Sequence, residues 1–225
     1  MPTDNPQAGV SPVGQVYLRQ AIPADADGMA TVFGLAFDDY RRGLGVDAVT
    51  LATMWHPSFS ARIAVSTVAV SASGDVVGFI ISVPPGAEEF GRDGRQRDRP
   101  RFPELMGWNN MWRLPATFGP MGLAFARRRT RPDEGYVSML AVRPDWQGKG
   151  VARSLLLAVE GAMVRAGASG VLLHTAARNE AAMKVYRRTG YRVVRTLRSP
   201  WTDPAGIDAY VAMRKDVAAT GPLHR

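Results

Sequence analysis

The seventeen residues from Leu140 to Leu156, LAVRPDWQGKGVARSLL, constrain the fold more than any other part of the chain. A strand ends at Val142, a short loop follows, and a helix begins near Lys149, with Gly148 and Gly150 on either side of its start. Glycine there lets the backbone take unusual dihedrals and approach a ligand closely. The first amides of a helix have no internal partner and point outward at the positive end of its dipole. Strand, glycine-bearing loop and helix N-terminus therefore make a phosphate-binding nest, and the small Ala152 permits close packing beside a bound phosphate. The spacing lacks the G-x-x-x-x-G-K-[ST] of a P-loop. It also lacks G-x-G-x-x-G with a following ribose-binding acid, which argues against a dinucleotide fold.

The elements around this run alternate. Gly14–Ile22 reads as a first strand, and Pro23 opens a helix to Phe37 with Asp25 and Asp27 near its positive end. A short helix is expected over Thr50–Trp55. Ile63–Val70 and Val76–Val83 are strands joined by the hairpin turn Ser73-Gly74-Asp75, and Pro84-Pro85-Gly86 ends the second. Segment 86–131 is too long for a plain loop. It reads as an Arg-rich stretch (GRDGRQRDRPR) followed by one or two short helices broken at Pro115 and Gly119-Pro120. Then come a strand (Tyr136–Val142) and a helix (Lys149–Ala166) whose stripe is Val151, Leu155, Leu156, Val159, Ala162 and Met163. A strand (Val171–Thr175), a helix (Asn179–Thr189) ended by Gly190 and a hairpin (Tyr191–Leu197, Asp208–Arg214) complete the series. The order predicts a mixed α/β sheet in one domain over 15–216, with an insertion at 86–131. Residues 1–14 are expected to be a disordered leader and 217–225 a flexible tail.

Composition removes several chemistries. The chain of 225 residues has no cysteine, so no thiolate nucleophile, disulfide or thiolate metal site is available. Three scattered histidines, His56, His174 and His224, give no metal-ligand spacing, and no metal is expected. No apolar run spans a bilayer and no secretory pattern opens the chain, so a cytoplasmic protein with no membrane partner is expected. Net charge is +8, carried almost wholly by arginine, and segment 84–131 holds ten Arg against five acidic residues. Its arginine and aromatic blocks are consecutive rather than interleaved, which argues against nucleic acid as the partner.

The central run resembles the signature [QR]-x-x-G-x-[GA] of the Gcn5-related N-acetyltransferase (GNAT) family, with Gln147, Gly150 and Ala152 at its fixed positions. Leu140-x-Val142-x-Pro144 before it and an amphipathic helix after it strengthen the likeness. A second block, Asn179-Glu-Ala-Ala-Met-Lys-Val-Tyr186-Arg-Arg-Thr-Gly190-Tyr191, resembles the family's N-x-x-A-x-x-x-Y-x-x-x-G-[FY] segment. The likeness is good over Tyr136–Arg214 and looser over Val16–Val83. Within the family it is nearest to puromycin-type small-molecule N-acetyltransferases, which share the P-D-x-Q-G-K-G run and a long insertion before the motif strand. The resemblance implies a single GNAT-like α/β domain whose mixed central sheet is splayed between strands 4 and 5, flanked by helices, with the insertion between strands 3 and 4. It implies acetyl-CoA as co-substrate, bound by Leu140, Ala141, Val142, Gln147, Gly148, Lys149, Gly150, Val151, Ala152, Arg153, Asn179 and Tyr186. Asn179 would reach the pantetheine arm and Tyr186 would lie near the thioester sulfur. A homodimer is the assembly the family likeness suggests.

Acetyl transfer to an amine needs a polarised carbonyl, a neutral amine and a proton for the leaving thiolate. With no cysteine to carry the acyl group, direct transfer is the simplest route. A backbone N–H at Leu140 or Ala141, freed where the strands part, would polarise the carbonyl. Tyr186 would be the general acid, or else a core aromatic. For the base, His174 stands first, because imidazole accepts a proton near neutral pH and the matching position in related N-terminal alanine acetyltransferases is a glutamate base. Glu134 and a water chain are the alternatives. Asp38 and Asp39 would attract a cationic amine or simply end a helix, and Trp108, Trp112 and Phe118 would wall an acceptor pocket or belong to the core. The expected acceptor is a small-molecule primary amine. A protein or peptide amine, and a non-catalytic acyl-CoA-binding or RNA-associated role, are the competing readings.

Overall fold

The computed structural model describes residues 16–87, 102–126, 131–199 and 201–217. The leader 1–14, the tail beyond Val217 and the Arg-rich stretch up to Arg101 lie outside the described residues. Seven strands form one sheet: β1 (Val16–Gln20), β2 (Ser66–Ser71), β3 (Val76–Val83), β4 (Glu134–Val142), β5 (Gly170–Ala176), β6 (Arg192–Arg198) and β7 (Ala209–Asp216). Their order is β1-β2-β3-β4-β5-β7-β6, antiparallel throughout except for the parallel pair β4–β5. This is the expected mixed sheet, and its parallel pair begins at β4, the motif strand. Among the described residues no helix is long and apolar enough to cross a membrane.

Two cores sandwich the sheet. On one face, α6 (Val151–Arg165) and α7 (Glu180–Arg188) bury Val151, Leu155, Leu156, Val159, Met163, Met183 and Tyr186 against alternate residues of β3, β4, β5 and β7. Ala162 of the expected stripe is exposed instead. On the other face, α1 (Ala26–Ala36) and α3 (Ala48–Ser60) bury Met29, Phe33, Leu51, Met54 and Phe59 on Val68, Phe79 and Ile81. Each such side chain contributes about 1.5–3 kcal/mol on leaving water.

The helices between the motif and the N-terminus depart from expectation. A separate α2 (Asp38–Leu44) follows α1, and it stops at Gly45, whose φ of 70° is open only to a residue without Cβ strain. Its polar sequence hides it, because only Gly43 and Leu44 are buried. α3 begins earlier than Thr50, since Asp47 accepts the Thr50 amide at 2.7 Å and caps it. Ile63–Val65 is a helical turn, not strand. In the insertion, α4 (Phe102–Met106) precedes α5 (Arg113–Ala126), which is one continuous helix and not broken at Pro115 or Gly119-Pro120. Pro115 falls in the first turn, where its missing N–H has no acceptor to lose. Pro120 lies mid-helix and is held by packing: Leu114 and Phe118 join the α1–α3 core and Met121 joins Tyr210 and Ile207.

Candidate active site

β4 and β5 pair only from Glu134↔Gly170 to Val137↔Leu173. Beyond that point β4 stays on β3 as far as Val142 and β5 stays on β7 as far as Ala176, so the two part into a wedge. The register of β3 on β4 slips between Ile81↔Met139 and Ser82↔Val137, which leaves Ser138 as an extra residue that bends β4 where the wedge opens. Arg143 N donates to Val77 O at 2.9 Å. Alternation along an antiparallel strand then turns the N–H groups of Ala141 and Met139 to β3 and those of Leu140 and Val142 into the gap. Of the two expected carbonyl-polarising amides, Leu140 is therefore the available one; the Ala141 amide belongs to the ladder.

The glycine loop sits at the mouth of this wedge. A turn over Pro144–Trp146 leads to Gly148 (φ 76°) and Gly150 (φ 86°), both in the left-handed region. Gln147 Nε2 donates to Val142 O at 3.1 Å, tying the loop to the strand end. Lys149 Nζ stands 4.8 Å from the Trp146 ring centroid. Gly78 on β3 sets the height of α6: a Cβ there would come within 3.1 Å of Val151 Cγ1 and of Ala141 O. Among the described residues the amides of Gly148 to Arg153 have no acceptor, the next one, Ser154 N, bonding back to Gly150 O at 3.0 Å. A Cβ on Gly148 or Gly150 would meet nothing within 4 Å. A row of free amides beside open space suits the oxygens of a diphosphate.

Two titratable side chains flank the wedge from opposite faces. Val171 and Leu173 of β5 belong to the α6–α7 core, so Leu172 and His174 point to the other face, where Leu172 packs with Tyr136 and Ala212. His174 Nδ1 lies 3.2 Å from the Tyr136 hydroxyl. Tyr186, on α7, approaches from the α6 side, with its ring 6.0 Å from that of Tyr191. Burial, with the nearby Tyr136 phenol adding to it, holds the Tyr186 hydroxyl protonated far above neutral pH. Tyr136 thus stands near both groups, and sequence alone did not single it out, because its partners lie far along the chain. Asn179 caps α7, its Oδ1 accepting from Ala182 N at 3.0 Å. Glu134 is at the closed end of the wedge, 6% exposed, with Oε1 2.8 Å from Arg214 Nη2 and Oε2 accepting the Arg131 amide at 2.8 Å. That engagement and position take Glu134 away from the open end, so it is a structural ion pair rather than a base.

On the side that carries His174, α2, α5 and the β6–β7 loop pack together. Asp38 bonds Arg41 at 2.9 Å and Asp39 bonds Arg42 at 2.5 Å and Arg178, so neither is an unpaired attractor for an amine. Trp108 (80% exposed) and Trp112 (58%) face solvent and form neither core nor wall. Phe118 does turn inward, its ring 5.2 Å from Tyr40 and 5.3 Å from Trp55. Three residues not foreseen lie on this side: Tyr40 of α2, Tyr210 of β7 and Asp203 of the β6–β7 loop; burial raises both phenols, and the nearby Asp203 carboxylate adds to it.

The sequence model of the Acetyltransferase (GNAT) family matches residues 29–191. The chain is 40% identical to N-alpha-acetyltransferase 30 of Schizosaccharomyces pombe over 57 residues, which cover 25% of this chain and 38% of that protein, well under half of the relative's length. Among solved structures, an N-acetyltransferase from Staphylococcus aureus Mu50 superposes with a TM-score of 0.60 at 18% identity, covering 88% of this chain and 98% of the other. The ribosomal-protein-S18-alanine N-acetyltransferase of Escherichia coli superposes with a TM-score of 0.55 at 14% identity, covering 93% and 99%. At such identities the likeness is one of fold.

Proposed function

Because the chain belongs to the acetyltransferase (GNAT) family, we propose that it moves the acetyl group of acetyl-CoA directly onto a primary amine of a small molecule, with 15–216 as the catalytic unit. The observation that carries this reading is the wedge: a gap-facing Leu140 amide at its centre, free loop amides at its mouth, and a histidine and a tyrosine on opposite faces. Val142, Gln147, Gly148, Lys149, Gly150, Val151, Ala152 and Arg153 hold the diphosphate end of acetyl-CoA. The Leu140 amide donates to the acetyl carbonyl oxygen as it gains charge. His174 accepts the proton of the attacking amine, held in place by Tyr136, while Tyr186 donates its proton to the departing thiolate. Asn179 flanks the pantetheine arm from the start of α7.

Release of free thiol on mixing the protein, acetyl-CoA and a panel of amines tests the reading. The panel includes small primary amines and short peptides with free N-termini, because the relative with 40% identity bears the name of an N-alpha-acetyltransferase. Transfer to small amines is the expected result. Transfer confined to the peptides would replace the acceptor class and leave the wedge chemistry standing. No transfer to any amine would overturn the reading.

A further inference from the structure

The outward face of α5 lacks the charge that a helix ordinarily turns to water. Arg113, its first residue, is the only charged one in the helix. Helical spacing divides the rest into two stripes. Leu114, Thr117, Phe118 and Met121 turn inward: Thr117 is buried, Leu114 and Phe118 join the α1–α3 core, and Met121 joins Tyr210 and Ile207. Trp112, directly before the helix, shares the opposite stripe with Pro115, Ala116, Gly119, Gly122 and Leu123, and none of the six is polar. Leu123 is 53% exposed. Trp201 of the β6–β7 loop, 47% exposed, lies against this stripe, because a Cβ on Gly119 would stand 3.5 Å from its Cζ2. Trp108, in the helical turn that leads into α5, is more exposed still. Three tryptophans and a leucine thus meet water around one helix, and a clustered apolar surface of that kind marks an interaction site.

Charge decides what covers it. By sequence, residues 91–101, which run into α4, hold five Arg against two Asp, and residues 127–131, which follow α5, hold four Arg and no acid. Arg113 adds a guanidinium 5.2 Å from the Trp112 ring centroid. An apolar helix face between basic segments is complementary to a surface that is apolar beneath and anionic on top, which describes an anionic phospholipid bilayer. Tryptophan suits that boundary, since its ring is apolar and its N–H reaches the headgroups. A second copy of the chain suits it less, because pairing through this face would bring the arginines of both copies together. The stripe also offers no polar group by which a protein partner would be selected. A helix lying on a bilayer needs no spanning run, so the sequence-based expectation of no membrane partner, drawn from spans and secretory patterns, does not bear on it.

We infer that the outward face of α5, with Trp108, Trp112, Leu123 and Trp201, docks the protein on an anionic phospholipid surface. The inference is independent of the acceptor and of the transfer chemistry. It is tested by co-sedimentation of the full chain with vesicles of phosphatidylcholine alone and of phosphatidylcholine with about 30% phosphatidylserine. The protein should sediment with the second and not with the first, and raising salt from about 0.1 to about 0.5 M should weaken binding. In vesicles whose acyl chains carry bromine, tryptophan fluorescence should be quenched. Trp108→Ser with Trp112→Ser removes two exposed rings and should leave the melting temperature unchanged, while binding falls on the order of tenfold or more and most of the quenching disappears. Failure to bind the phosphatidylserine vesicles would overturn the inference and leave the face to an acidic protein partner. Binding without quenching, which the unaltered protein reveals even if the double variant does not fold, would show that the arginines act alone and would overturn the role of α5. Sedimentation equilibrium without lipid covers the remaining occupant: a dimer that the double substitution dissociates would give the face to a second copy and overturn the inference.

Discussion

In the proposed transfer Tyr186 and His174 divide the proton traffic between the two faces of the sheet, and substitution separates them. Tyr186→Phe removes the donor but keeps the buried ring, so stability and acetyl-CoA affinity should hardly change while turnover falls ~10²-fold, the scale of a positioned acid. Raising the pH should not restore it, since burial keeps the native phenol protonated across the working range. Full activity in the variant would remove Tyr186 from the chemistry. His174→Ala should lower turnover as well, but with a different profile. The native rate should climb as the imidazole loses its proton and then level off, while the variant should lack that limb and recover in part only where the acceptor amine is itself neutral. A pH–rate profile identical to the native one would hand the base role to water. The sequence singles out Tyr186 because the motif spacing is local, and His174 through its place on the strand before that motif. It could not show that Tyr136 holds His174, nor that alternation gives the gap to Leu140 and the ladder to Ala141. Both follow from register, which is set by partners far along the chain.

Elements were legible in proportion to how local their signals are. The strand–loop–helix of the motif and the β2–β3 turn carry their own punctuation and lie where expected. α2 and the unbroken α5 do not, because the first is too polar and short to show a stripe, and the second overrides the propensity of Pro120 through contacts with distant residues. The junction of β1 with α1 shows what such distant bonds contribute. Arg19 grips Asp25 with two hydrogen bonds of 2.6 and 2.8 Å, and the Ile22 amide adds a third at 2.8 Å. Burial pushes the Asp25 carboxyl up, but these bonds outweigh it and hold it below its ordinary range. A depressed folded value means stability that is complete above the unfolded carboxylate range and is lost as pH falls through the folded value. Asp25→Asn should therefore cost roughly 1–2 kcal/mol at neutral pH, discounted for the partly exposed Arg19. Urea unfolding should show the native and variant curves converging as the pH falls below the ordinary carboxylate range. A constant gap down to acid would mean that packing, not charge, holds the junction.

At the scale of the whole molecule, the wedge and the free amides of α6 make a site in which ligand binding and helix stability pull in opposite directions. Arg153 is exposed in the first turn of α6, where its positive charge opposes the helix dipole. The sequence keeps a cation where folding alone would favour an acid, and a bound diphosphate would offset that penalty. Arg153→Glu should thus raise the stability of the free protein by about 0.3–1 kcal/mol and weaken acetyl-CoA binding about tenfold or more. Both effects appear in one melting experiment. Acetyl-CoA at about a hundred times its Kd stabilises a protein by about 2.7 kcal/mol, and a tenfold weaker Kd removes about half of that. At roughly 2–4 °C per kcal/mol for a domain of this size, the free variant should melt slightly above the native protein, and the two should exchange order once acetyl-CoA is added. The helical backbone at Arg153 makes this a cleaner probe than Gly150, whose φ of 86° would strain any side chain placed there. Equal ligand-induced shifts in the two proteins would place the phosphate contacts elsewhere than the start of α6.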